Sequence, residues 1–175
     1  MVGLGMGLQA MAEDFNFYYY VSQWPGSYCA QSSKRCCLPT IGEPDEDFFV
    51  FGLYATNSTG AVLRKCPNEQ SFEFSEVGSI AGIVPNGRLY QLVEIKKALK
   101  HELGAVVGIR CSTNLEREFQ LYEVYVCIDK VDATSLIPCS SLPDFKCPDE
   151  IRFLAFNLQM LKKDVISNSH NLQVE

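Results

Sequence analysis

Eight cysteines, at positions 29, 36, 37, 66, 111, 127, 139 and 147, constrain this chain more than any other feature of its sequence. Eight is more than a reduced cytosolic domain of 175 residues usually carries, and the even count points to an oxidising compartment and a disulfide framework. Adjacent Cys36 and Cys37, preceded by Cys29, do not suit zinc. Neighbouring cysteines rarely ligate one ion together, and no Cys-x-x-Cys pair or histidine partner follows. No metal and no cofactor is therefore expected. Two further signals favour export. Residues 1–12 read as a leader remnant: residues 1–8 are apolar and glycine-rich, and Ala10-Met11-Ala12 has the small-x-small form that precedes a signal-peptidase cut before Glu13. No Lys or Arg precedes that stretch, and Gly3, Gly5 and Gly7 break it, so a simple frayed end fits equally. Asn57-Ser58-Thr59 is an acceptor sequon for N-glycosylation.

A chain of this size with 47% hydrophobic and 21% charged residues can bury a core as one domain, placed at residues 13–156 with a polar tail at 157–175. The net charge of -6 argues against a strong nonspecific grip on nucleic acid and leaves room for a local RNA site. No apolar run approaches the length of a membrane span, so no membrane partner is expected.

The fold class reads as α+β with strands dominating. Residues 15–23 and 48–54 are aromatic and β-branched runs of strand length. Residues 89–103 form the convincing helix. Leu89, Leu92, Ile95, Leu99 and Leu103 fall on one face, Glu94, Lys97 and His101 opposite, Lys96 and Lys100 at the stripe's edge, and Gly104 stops it. In residues 119–128, Tyr122, Val124, Val126 and Ile128 alternate with Glu123, Tyr125 and Cys127, which predicts a strand with one face on the core.

Phe15 through Gln23-Trp24-Pro25-Gly26-Ser27-Tyr28-Cys29, followed by Cys36-Cys37-Leu38-Pro39, resembles the opening of the T-two family of acid ribonucleases, particularly the S-like ribonucleases of plants. Val84-Pro85-Asn86-Gly87 running into the helix resembles the family's later loop and helix. Leu121 to Asp129, then Pro138-Cys139 and Cys147-Pro148, resembles its closing strands. The resemblance implies an antiparallel sheet with helices packed on one side. It implies RNA as partner, and cleavage through a 2',3'-cyclic phosphate by two histidines with a Glu and a Lys. It also implies three disulfides, Cys29 with Cys36, Cys111 with Cys147 and Cys127 with Cys139, and places Gln23, with Trp24 beside it, where the family can contact a base. Both residues equally suit a core.

The chain departs from this pattern at both catalytic motifs. Where the family has Phe-x-Ile-His-Gly-Leu-Trp-Pro, this sequence has Phe48-Phe49-Val50-Phe51-Gly52-Leu53-Tyr54-Ala55, so Phe51 occupies the histidine position. The second motif, with its terminal His-Gly-Thr-Cys, is absent between Cys66 and about Gly78, along with several tens of residues. A positioned proton-transfer group contributes about 10² to 10⁴ in rate, so losing both leaves activity near background. Cys37 and Cys66 lose their family partners and must pair with each other, pair between chains or stay free. The expectation is a secreted or vacuolar homologue, catalytically inactive, with a storage, defence or binding role. One alternative is a weak RNA endonuclease that uses His101, in Lys100-His101-Glu102-Leu103-Gly104; His170 lies in the polar tail. Another is an incomplete gene product. A thinned helical layer would expose sheet, predicting lower stability or a homodimer over the uncovered face.

Overall fold

The computed structural model describes residues 15–31, 36–37, 47–63 and 82–162. In chain order the elements are β1 (Phe17–Gln23), α1 (Pro25–Ala30), β2 (Cys36–Cys37), β3 (Phe49–Thr56), β4 (Leu89–Gln91), α2 (Leu92–Leu103), β5 (Gly108–Thr113), β6 (Phe119–Asp129), β7 (Leu136–Ile137), β8 (Glu150–Arg152), a 3-10 turn (Leu158–Met160) and β9 (Leu161–Lys162).

β6 organises a seven-stranded sheet. Along one of its edges lies β1, with Phe17 opposite Asp129 and Gln23 opposite Glu123, and beyond β1 lies β3. Where β1 ends, β8 continues that edge through a parallel contact between Arg152 and Gln120, and carries β4 outside it. β5 and β7 line β6's other edge, both antiparallel. The sheet is thus antiparallel apart from the β6–β8 contact, and the architecture is α+β as expected. β2 and β9 form a separate parallel pair, so the start of the tail, expected to be polar and weakly docked, supplies a short strand before residue 163.

The helix begins three residues later than its periodicity predicts. Leu89–Gln91 is a strand, because it pairs with Arg152–Glu150 and the Leu92 N–H donates to the Asp149 carbonyl at 2.7 Å. Hydrophobic spacing cannot register a partner about sixty residues away. The other end is as read: Gly104 takes the left-handed conformation, φ 66°, that glycine tolerates without cost. α2 buries Ile95 and Leu99 against the sheet face that carries Tyr20, Val124, Val126 and Ile128, with Trp24, Ile151 and Phe153 completing that core.

β6 is not half-exposed as its alternation predicts. Its other face packs Cys127 with Phe17, Tyr19 and Val21, flanked by Tyr54, Tyr125, Cys139 and Leu142. Residues 138–147 fold over that face, and the Cys127–Cys139 bond ties them down. The two remaining expected bonds, Cys29–Cys36 and Cys111–Cys147, are also formed. Cys66 and the Cys37 side chain lie outside the described residues, as do residues 1–14 and 163–175.

This packing holds several phenols neutral. Burial pushes Tyr20 up to about 12, with the Asp47 carboxylate adding to it, and burial likewise raises Tyr19, Tyr54 and Tyr125. Folded values above the ordinary 10.0 mean that this stability is fully present below pH 10 and is lost as pH rises through about 12 for Tyr20. In an alkaline titration, phenolate absorbance and circular dichroism are expected to change together over that interval. Independent ionisation of all eight tyrosines near pH 10, with the fold intact, would contradict it.

Candidate functional site

One row of the sheet crosses four strands: Phe49 on β3, Gln23 on β1, Glu123 on β6 and Arg110 on β5. All four lie on the face opposite α2, since side chains alternate along each strand. Glu123 is 1% exposed, and its carboxylate accepts from every neighbour in reach: Gln23 Nε2 at 3.2 Å, Arg110 Nη1 at 3.2 Å and the Tyr125 hydroxyl at 2.8 Å. Tyr125 is pushed up first by burial and then by donating to this carboxylate. Arg110 has one side of its guanidinium on Glu123, with the rings of Tyr122 and Phe145 each 5.8 Å away. Burial works against its charge, but Glu123 and Tyr125 together more than offset that and hold its value above the ordinary one. Sequence reading missed this network, although the opposed signs of Arg110 and Glu123 in neighbouring strands were available as a signal.

Gln23 and Trp24 do not face open surface. Gln23 is 1% exposed, with its amide N–H on Glu123. Trp24 has no exposed surface, its indole N–H donates to the Leu154 carbonyl at 2.7 Å, and Phe153 and Phe48 flank its ring at 4.9 and 5.1 Å. Both side chains thus take the core positions that the sequence equally allowed them.

Phe51 sits in a β-bulge. Val21 faces Gly52 and Ser22 faces Val50, which leaves Phe51 without a partner on β1 and 48% exposed. The bulge turns outward a position that, in this chain, carries no group able to move a proton. Three residues on, the Tyr54 ring folds back over Gly52, where any Cβ would come within 2.9 Å of it. His101 projects from the solvent side of α2, with Glu102 at 3.4 Å as its polar neighbour, and His170 lies outside the described residues. No three His, Cys, Asp or Glu side chains among the described residues converge as metal ligands. Asn57 closes β3 in a tight turn. Its Oδ1 accepts from the Thr59 N–H, the Thr59 hydroxyl and the Ala61 N–H at 3.0, 2.7 and 2.9 Å, so the amide nitrogen is the group left over.

Comparison with known proteins places this arrangement. The sequence matches the ribonuclease T2 family over residues 15–81 and 77–139. The chain belongs to that family. Extracellular ribonuclease LE and intracellular ribonuclease LX, both of Solanum lycopersicum, are each 28% identical to this T2 homologue; each alignment takes in 83% of this chain and covers 89% and 86% of the relative. Among solved structures, RNase NT in complex with 5'-AMP is 29% identical with a TM-score of 0.68, covering 82% of this chain and 100% of that one. The alignment with ribonuclease LE spans 207 positions, whereas 83% of this chain is about 145 residues, so about 60 positions of the relative face gaps here. No helix among the described residues is long and apolar enough to cross a membrane.

Proposed function

We propose that this T2 homologue does not cleave RNA above background, and serves as a secreted or vacuolar storage, defence or binding protein. The observation that carries the reading is the outward-facing Phe51 where the resemblance calls for histidine. A substitution inside a formed strand is not undone by restoring any missing segment. The gap of about 60 positions against ribonuclease LE supports the loss of the second motif as well. Three disulfides favour the secretory pathway, and the free Asn57 amide on an exposed turn favours glycosylation there. Phe49, Val50 and Phe51, all exposed on β3, favour self-association over that edge. Residues 13–156 would form the working unit, with 1–12 as leader and 157–175 as tail.

An RNA gel assay of the purified protein at mildly acidic pH tests the central claim. No cleavage beyond the buffer control is expected, and Phe51→His alone should restore none, because a base without a facing acid completes half of the proton traffic. Cleavage by the native chain that disappears in His101→Ala would replace this reading with that of a weak endonuclease.

A further inference from the structure

The basic groups of the sheet are neutralised in place. Arg110 is bound to buried Glu123, and Arg152 Nη2 sits 2.7 Å from Glu118. The outward face of α2 differs. Lys96, Lys97 and Lys100 are exposed, and none has a carboxylate within ion-pair distance among the described residues. The two acids of the helix stand at its ends: Glu94 in the first turn, where the helix dipole favours a negative charge, and Glu102 beside His101. Between them stand three cations without an ion pair among the described residues, Lys96 and Lys100 at the edge of the apolar stripe and Lys97 on the adjoining outward side. Lys96 and Lys100 are neighbours four residues apart, about 6 Å along the axis, and Lys97 lies one turn from Lys100.

We propose that this strip docks the phosphate backbone of single-stranded RNA, so that the molecule can hold an RNA strand on the outward face of α2. The inference rests on RNA as the partner to which family membership points. In a chain of net charge -6, a polyanion is repelled by most of the surface, and an unneutralised cationic strip decides where it can settle. A bilayer is the poorer occupant. The apolar stripe of α2 faces inward, with Ile95 and Leu99 fully buried, and Val93 is the one large apolar side chain of the helix that stands exposed, too little apolar surface to insert among lipids. The strip also lies across the sheet from Gln23, Glu123 and Arg110, so it does not compete with that network.

Three phosphate contacts on a single strand predict a slope of about -2 for log affinity against log salt concentration. The test uses the full chain and a fluorescent all-deoxy oligonucleotide, which binds without being cut, followed by anisotropy over a salt series. Each Lys→Gln change at 96, 97 or 100 is expected to lower the slope by about 0.7, the triple change to abolish binding, and triple Lys→Arg to retain it. Gln keeps the helix, being nearly as good a helix former as Lys. A charge-matched control carrying Arg117→Gln, Lys130→Gln and Lys146→Gln should bind as the native chain does. Equal weakening by the control, or binding that survives the α2 triple change, overturns the strip while leaving RNA as partner. No binding by the native chain overturns both. Capture by phosphatidylserine vesicles through the same lysines, without oligonucleotide binding, overturns the assignment to RNA.

Discussion

Trp24→Ala is expected to remove about 3–5 kcal/mol of folding free energy, a large share of the roughly 5–15 kcal/mol that holds a domain of this kind together. Three effects add at this one residue. The side chain is fully buried, so its removal leaves a cavity with Phe153 and Phe48 as walls, rings that stood 4.9 and 5.1 Å from it. The Leu154 carbonyl loses the indole N–H that satisfied it. The surroundings cannot close around the gap easily. The backbone of Trp24 is pinned to β6 through its N–H on the Tyr122 carbonyl, and α1 begins at the very next residue. Gly26 sharpens the point: a Cβ there would meet Trp24 Nε1 at 2.6 Å and the Leu154 carbonyl at 2.9 Å, so chain and indole are already in closest approach. Trp24→Phe keeps most of the apolar volume and should lose about 1–3 kcal/mol, chiefly through the unpaired carbonyl. Urea denaturation, comparing midpoints at constant slope, reads both values. A Trp24→Ala loss below 1 kcal/mol would show that the ring is not a core residue.

What the sequence made legible follows the range of each interaction. Gly104 stops α2 where read, because a left-handed helix terminus is decided by one residue. Ile95 and Leu99 face inward where read, because helical periodicity is local. The start of α2 was misplaced by β8, which pairs with Leu89–Gln91 from about sixty positions away and adds a Gln91–Glu150 hydrogen bond at 2.7 Å. Glu123 was misplaced by the same kind of cause. Alternation sends it toward solvent, yet β5, β1 and residues 138–147 close over it, and the cation and hydroxyl that make its burial tolerable come from Arg110 and Tyr125. The candidate site divides likewise. Phe51 was found by comparing a short motif, but its bulge and exposure come from pairing with β1, which no single strand contains.

The second large effect belongs to the disulfide that spans the longest stretch of chain. Cys111 and Cys147 are 36 residues apart, against 12 for Cys127 and Cys139 and 7 for Cys29 and Cys36. Constraining the unfolded chain over these loops gives, in the chain-entropy account, about 4, 3 and 2.5 kcal/mol. Paired Cys→Ser changes should therefore lower stability in that order. Structure adds to the first term. Cys111 lies on β5 immediately after Arg110, at the shift in register with β6, and Cys147 ends the segment that lays Leu142 and Phe145 over the second core. Releasing that end frees Phe145 from the Tyr125 ring and the Arg110 guanidinium beside it, and opens the buried Glu123 carboxylate to water. The Cys111→Ser/Cys147→Ser variant is accordingly expected to lose more than the entropy alone, with faster hydrogen exchange in β5 and the first half of β6, to which β5 pairs, than in β1. Uniform exchange across all three strands, or a loss smaller than that of the Cys29–Cys36 pair, would place the weight of the framework elsewhere.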